Sequence, residues 1–349
     1  MPTSLFIEPT YPEFLGNELF RVDSPLNRDD SLRPYILMKE RLEATGIKVN
    51  TADYFLRGKH LSDRNVFVSL GGTEYWRRLK DRDDISLEAF FLFEPPIANP
   101  SIYRRLKEYG PHFRHVFSFS TGLGIERYLP HGLRLEQLYC PQPYDDVIDP
   151  LWNRADRKFL TAIVSNKRPL APGPELYSER IRAIRFFARQ GEIDLYGPYW
   201  DKPVPTHPFH FQWYFDRSFR RARKGIAESK YRTLAGYTFS ICFENMSLKG
   251  YITEKIFDCF YTGTIPIYLG APDIRDQIPK EAFIDFSTFR SYEDLREYLL
   301  SRAPAEITRY RLAARDFLGS RRFRPFSSRS FLDSILKISE EHSAPGEAR

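Results

Sequence analysis

The chain has 349 residues, of which 42% are hydrophobic and 15% aromatic, enough for two domains that each bury a core and too ring-rich for a disordered polymer. Its formal net charge of +6 is compatible with an anionic ligand or an anionic membrane surface and demands neither. Cys140, Cys242 and Cys259 have no paired spacing for zinc or for a disulfide framework, which points to a reducing compartment, and no stretch approaches the ~20 apolar residues of a membrane span. With no basic start followed by an apolar run at the N-terminus, the expectation is a soluble or peripheral chain, cytoplasmic or at the inner face of a membrane.

Residues 1–150 read as one α/β unit. A helix is predicted over 35–42, stopped by Gly46 and followed by a strand over 47–49; the apolar run 66–70 ends in Gly71-Gly72, and the run 90–93 ends in Glu94. Such alternation implies a parallel sheet. No Lys follows Gly71-Gly72 at phosphate-loop spacing, and Gly122-Leu123-Gly124 is an incomplete dinucleotide fingerprint, so both read as turns. Glu94 differs, because it closes an apolar strand and precedes Pro95-Pro96, a rigid loop that holds its carboxylate at the strand's mouth. There it can act as a base; capping the helix that starts near Ser101 is the alternative.

A second unit, 151–325, follows the Pro-rich segment 141–143 and Asp145-Asp146. A strand over 160–165 ends at Ser165-Asn166, and a helix from Ser178 places Ile181, Ile184 and Phe187 on one face. Arg180 falls in its first turn, where a cation opposes the helix dipole, an arrangement that makes sense if it reaches an anion. Arg182 and Arg185 are its rivals, as is plain solvation. After a strand ending at Gly197 comes an aromatic insertion, 198–215, whose His207 and His210 lack a third ligand and read as loop residues; no metal site is assigned. The basic run Arg217, Arg220, Arg221, Arg223 and Lys224 adjoins these aromatics without interleaving, so a solvated helix face is preferred and no nucleic-acid partner is expected.

The densest signal lies over 237–270. An aromatic-rich strand, 237–243, stops at Glu244-Asn245; Ile252, Ile256 and Phe260 then stand four apart in a short helix that Gly263 closes, and a strand over 265–269 follows. Strand, loop, helix and strand make a parallel crossover, and ligands bind outside the carboxyl ends of such strands. Glu244, Asn245, Lys249, Tyr251, Glu254 and Lys255 crowd the helix start, where unpaired N–H groups and partial positive charge suit a phosphate. A strand near 283–285 and a capped helix from Ser291 complete this unit. In the C-terminal segment, 326–349, a helix over 327–341 carries Phe331, Ile335 and Ile338 on one face after Arg321, Arg322, Arg324 and Arg329. Packing back across the domain interface is the preferred reading, and peripheral attachment to anionic lipid the other; disorder is expected beyond Glu341.

Phe243-Glu244-Asn245, Tyr251-Ile252-Thr253-Glu254-Lys255, Gly263-Thr264-Ile265-Pro266-Ile267-Tyr268 and Gly270-Ala271-Pro272 stand in the order and spacing of glycosyltransferase family 10, the α-1,3/4-fucosyltransferases, which the chain resembles. The resemblance is strict over 231–273, weaker back to Thr161 and forward to Leu300, and lost upstream of Glu94. It implies a GT-B architecture, two Rossmann-like α/β domains facing a cleft, with acceptor on 1–150 and donor on 151–325. The activity it implies is inverting transfer of L-fucose from GDP-β-L-fucose to a hydroxyl of an acceptor glycan, α-1,3 to GlcNAc or Glc of a cell-surface glycan, with no cofactor required. Its residue roles make Glu94 the base, although the residues after Glu94 depart from the family's commonest wording. Arg180 and Lys255 would meet the donor's phosphates, Asn245 and Tyr251 would orient the donor, and Glu254 would face the oxocarbenium-like transition state or the sugar hydroxyls. Replacing Arg180 or Lys255 by Ala is then expected to weaken donor binding by ~1.5–3 kcal/mol with little loss of fold. The alternatives are a transferase for another nucleotide sugar and a catalytically inactive sugar-nucleotide or glycan-binding protein.

Overall fold

The computed structural model describes residues 2–121, 125–201 and 216–340. The turn expected at 122–124, most of the 198–215 insertion with His207 and His210, and the tail after 340 lie outside the described residues.

Two parallel sheets of six strands organise the chain. The first contains β1 (Thr3–Glu8), β2 (Ile47–Thr51), β3 (Arg64–Ser69), β4 (Ser86–Leu92), β5 (His115–Ser118) and β6 (Glu136–Gln137), in the order β2-β1-β3-β4-β5-β6. The second contains β7 (Lys158–Ile163), β8 (Ile193–Tyr196), β9 (Arg223–Gly225), β10 (Tyr237–Phe243), β11 (Ile265–Leu269) and β12 (Ile284–Asp285), in the order β12-β11-β10-β7-β8-β9. Helices cover the sheets, so central strands are buried on both faces and read as continuous apolar runs. Counted from its own first strand, the second sheet has the doubly wound order 3-2-1-4-5-6, which reverses between β7 and β10. The first sheet reverses between β1 and β3. Ligands bind at such reversals, beyond the carboxyl ends of the strands.

Helix Tyr177–Gln190 buries Ile181, Ile184 and Phe187 in the second core, as their spacing predicts. Helix Glu254–Thr262 is buried from Ile256 onward and ends at Gly263, whose φ of 67° is the left-handed cap that a glycine adopts without strain. The last helix, Ser328–Glu340, returns to the first domain: Phe331, Ile335 and Ile338 join that core, and the Phe331 ring sits edge-on to Tyr35 and Phe91 at 5.8 Å each. The apolar face of this helix is therefore covered by protein, as the preferred reading has it. The sheets themselves leave the interval between Gln137 and Lys158 for the crossing, and residue 150 falls inside the short helix Asp149–Trp152. No described helix is long and apolar enough to cross a membrane.

Candidate active site

The aromatic run of β10 stops at Glu244, which is completely buried and whose N–H donates to Leu269 O on β11 at 2.8 Å. A buried carboxylate has to be satisfied by the protein. Thr253, the residue before helix Glu254–Thr262, donates its N–H to Glu244 Oε1 at 2.9 Å, and its hydroxyl lies 2.9 Å from both carboxylate oxygens. Lys255 Nζ completes the set at 2.8 Å from Glu244 Oε2 and 2.8 Å from Thr253 Oγ1. One amide of the helix start, which the sequence reading leaves to a phosphate, is thus already taken by Glu244. Sequence reasoning names Glu244 only as one of a crowd; the missed signal is a lone carboxylate ending an apolar strand ahead of a Thr and a Lys.

Arg180 lies beside this cluster and is 4% exposed. Its Nη2 donates to the carbonyls of Phe243 at 2.5 Å and Glu244 at 2.8 Å and to Asn245 Oδ1 at 3.2 Å, while its guanidinium sits 5.4 Å from the Tyr177 ring. Every one of these partners is neutral, Nε has no acceptor, and no carboxylate lies within ion-pair distance among the described residues. Burial accordingly pulls the guanidinium's pKa down, with the Glu244 charge opposing. A buried cation with no counter-ion on the wall of a cavity is a place for an anion. Its rivals are engaged elsewhere: Arg182 pairs with Glu179, and Arg185 Nε lies 3.4 Å from Asp216.

The cavity, about 570 Å³, runs between the carboxyl ends of the two sheets. Pro9, Thr10, Tyr11 and Leu70 line it at the reversal of the first sheet, and Val164, Ser165 and Asn245 at that of the second. Glu94, Arg180, Asn245, Tyr251, Glu254 and Lys255 all reach it. Lys249, by contrast, is exposed and does not.

Glu94 hangs from the loop after β4, half-buried, and its carboxylate makes no hydrogen bond to any described residue. It does not cap the next helix, Pro100–Tyr109, which begins at Asn99 without a side-chain cap. Its backbone is fixed instead: Glu94 O accepts from the Tyr103 hydroxyl at 2.9 Å. Burial raises the Glu94 pKa, opposed by the Lys255 and Lys167 charges and reinforced by Glu254 and Glu244. Glu254 lines the same cavity, with 48% of its side chain exposed. Burial works to raise its carboxyl as well, but Lys255, with Nζ 3.9 Å away, and Lys230 hold it down at about 2. Glu94 and Glu254 are therefore driven apart, the pattern by which a site separates a proton acceptor from a permanently charged group.

Tyr251 is buried against Phe119, ring centroids 5.7 Å apart, and burial raises its hydroxyl's pKa well above the ordinary value. Cys242 and Cys259 are free thiols with sulfurs 3.3 Å apart, and Cys140 is free too. Among the described residues no group of three or more His, Cys, Asp or Glu side chains is placed to hold a metal ion.

Comparison with known proteins gives this geometry a context. The sequence profile described as Glycosyltransferase family 10 (fucosyltransferase) C-term matches residues 155–312. An alpha-(1,3)-fucosyltransferase, FucT, of Helicobacter pylori is 35% identical over 72 residues, 21% of this chain and 15% of that protein. An alpha-(1,4)-fucosyltransferase of Arabidopsis thaliana is 36% identical over 66 residues, 19% of this chain and 16% of that protein. GDP-fucose protein O-fucosyltransferase 3 of Bos taurus is 36% identical over 124 residues, 35% of this chain and 24% of that protein. Each alignment thus spans less than a quarter of the relative's own length. A crystal structure of an alpha1,3-fucosyltransferase superposes with a TM-score of 0.53 at 15% identity, covering 98% of this chain and 91% of that one. An alpha-glucosyltransferase in complex with UDP and DNA gives 0.58 at 12% identity, covering 97% and 99%. These likenesses fix the fold as the two-domain α/β architecture known as GT-B.

Proposed function

We propose that this chain, whose residues 155–312 match the model of glycosyltransferase family 10, the fucosyltransferases, transfers L-fucose from GDP-β-L-fucose to a hydroxyl of an acceptor glycan with inversion. The observation that carries this reading is a single interdomain cavity in which Glu94 from one sheet faces Arg180, Glu254 and Lys255 from the other. The diphosphate of the donor lies at the β7/β10 reversal, where Arg180 meets its charge; Asn245, held by Arg180, and Tyr251 orient the donor. As the bond from sugar to phosphate breaks, Arg180 and Lys255 stabilise the negative charge that grows on the leaving group. Glu254, ionised throughout the physiological range, faces the positive charge that develops on the sugar ring. Glu94, with an unbonded carboxylate in the opposite wall, takes the proton of the acceptor hydroxyl as that oxygen attacks from the other face of the ring, and inversion follows. No cofactor is invoked.

The names of the relatives support an α-1,3 linkage as the first to try, with α-1,4 as a comparison, and a GlcNAc or Glc unit is the acceptor we propose to test. The three free cysteines support a reducing compartment. A calorimetric titration with guanosine and uridine diphosphate sugars tests the donor, and the anomeric configuration of the glycoside, read by its proton coupling constant, tests the stereochemistry. Preference for a uridine diphosphate sugar, or a retained configuration, would overturn the corresponding part of the reading.

A further inference from the structure

Two cations that line the cavity, Lys167 and Lys230, have no part in the proposed transfer, and Lys230 is the one paired with a carboxylate there. Lys230 opens helix Lys230–Leu234, and its Nζ lies 2.7 Å from Asp258 Oδ2. Asp258 stands one turn beyond Glu254 on helix Glu254–Thr262, so the two carboxylates share a face, and all three side chains line the cavity. Lys255 directs its ammonium at Glu244 and Thr253, both at 2.8 Å, and stands 3.9 Å from Glu254. Lys230 is therefore the second positive charge acting on Glu254. The other charged or titratable groups that surround this carboxylate are Asp258 on its own helix, Glu244 at the end of β10, Tyr251 in the loop before the helix, Glu94 and Cys140 from the first domain, and Asp29 beyond Lys230.

What holds Lys230 in place comes from the other domain. Ser229 Oγ donates to Asp29 Oδ1 at 2.5 Å and Lys230 N–H donates to Asp29 Oδ2 at 2.8 Å, while the neighbouring Arg28 donates to Ala227 O and the Tyr144 hydroxyl to Asp30 Oδ2 at 2.7 Å. The turn presenting these acids is strained: Asp29 and Asp30, with φ of 54° and 56°, are consecutive non-glycine residues in the left-handed region. Such a conformation persists only where its surroundings determine it, and strain of this kind gathers at sites that do work.

We propose that Lys230, through its ion pair with Asp258 on the helix that carries Glu254, is a positioning residue for Glu254 and that Asp29 is the clasp by which the first domain sets it, so that the donor-side carboxylate is placed only while the domains are closed. The role given to Glu254 rests on the proposed glycosyl transfer; the clasp does not. Closing the cleft and completing the catalytic set become one event, a common way of preventing reaction before both substrates are enclosed.

The test uses the full chain with Asp29→Gly, which removes the carboxylate and tolerates the positive φ, and with Lys230→Met and Lys230→Arg. Hydrogen exchange of the 227–234 segment reads the clasp without any catalysis. In Asp29→Gly its amides are expected to exchange at least about tenfold faster while the β10 amides stay protected. Unchanged exchange would overturn the clasp. Turnover reads the positioning: Lys230→Met and Asp29→Gly each lower kcat about tenfold while GDP affinity is kept. Lys230→Arg retains most of the turnover, and the Asp29→Gly/Lys230→Met double variant is no slower than Lys230→Met. A loss of GDP affinity in step with turnover, a Lys230→Arg protein as slow as Lys230→Met, or losses that add in the double variant, would overturn it. If the wild-type chain binds no nucleoside diphosphate sugar, the transfer reading fails while the exchange experiment still decides the clasp.

Discussion

Substituting Lys255 by Met is the perturbation in which fold and site are hardest to separate. A donor-phosphate ligand at the rim of a cavity is expendable to the fold, but Lys255 is also the only cation within ion-pair distance of Glu244 among the described residues, and Glu244 is completely buried. Removing one partner of a buried pair typically costs ~3–5 kcal/mol, because the remaining charge is left uncompensated away from water. The Lys255 side chain is 20% exposed, so some solvent reaches the pair and the lower end, about 3 kcal/mol, is expected. For a domain of this size that corresponds to a fall in melting temperature of roughly 10 °C. The sign with pH is simple. Burial works to lower the Lys255 pKa, but Glu244 and Glu254 raise it above the ordinary lysine value. Its stabilising contribution is therefore complete below about pH 10 and lost only as pH rises through the raised value, so melts at pH 7 compare fully formed pairs. The decisive control is Glu244→Gln in the Lys255→Met background: the amide still accepts from Thr253, the uncompensated charge is gone, and stability should largely return. GDP affinity, read by calorimetry, should stay low in both variants. A Lys255→Met protein that melts within about 2 °C of wild type would refute the account, as would a double variant no more stable than the single. The expectation of weaker binding with little loss of fold thus needs revision on physical grounds. For Arg180 the reason is parallel, since one of its nitrogens ties together the carbonyls at the end of β10.

Glu94→Gln should keep donor affinity and melting temperature while lowering turnover by ~10²–10⁴-fold, the usual worth of a positioned base. In the wild-type enzyme, turnover at saturating substrates should fall as pH drops through the raised Glu94 pKa, and near-normal turnover of the Gln variant would send the base elsewhere. Glu8, at the end of β1, gives a separate signature in stability. Its Oε1 accepts the N–H groups of Glu74 and Tyr75 at 2.7 and 3.1 Å, Oε2 is buried without a partner, and burial pushes its pKa to about 7. The folded state holds this proton more tightly than the unfolded one, so the contribution is complete below about pH 4.5 and is lost as pH rises through 7, by roughly 3 kcal/mol in all. Glu8→Gln should flatten the decline of melting temperature between pH 5 and pH 8; an equally steep decline in the variant would assign that pH dependence to another group.

The parts of the molecule that were legible in the sequence are those whose chemistry is local. β10 and β11 were readable because strands buried on both faces are nearly continuous apolar runs, and the polar cluster after β10 was readable because charges at a strand's end have few structural uses. β1 was not, although it stands at the reversal of the first sheet. Thr3, Ser4 and Glu8 break its apolar pattern, and their burial is met by partners far along the chain, such as His60 O at 2.7 Å from Ser4 Oγ. Lys230 and Asp29 were hidden for the same reason, being joined only by the meeting of two domains. Close packing is the least legible feature of all, and Gly270 shows why. Its φ is not positive, so nothing in backbone conformation requires a glycine there. The requirement is space: a Cβ at this position would lie 2.4 Å from the Tyr268 hydroxyl and 2.6 Å from Glu244 Cγ. Tyr268 Oη in turn accepts the Ala271 N–H at 3.0 Å, and Glu244 is the anchor of Thr253 and Lys255, so neither neighbour can yield without moving the donor side of the cavity. Gly270→Ala is therefore expected to lose ~1–3 kcal/mol of stability, the usual cost of overpacking, and to weaken GDP binding although it touches no ligand. Melting and calorimetry on the same protein check both halves, and a variant with wild-type values in each would show that the contact relaxes freely and that Glu244 is not held by packing.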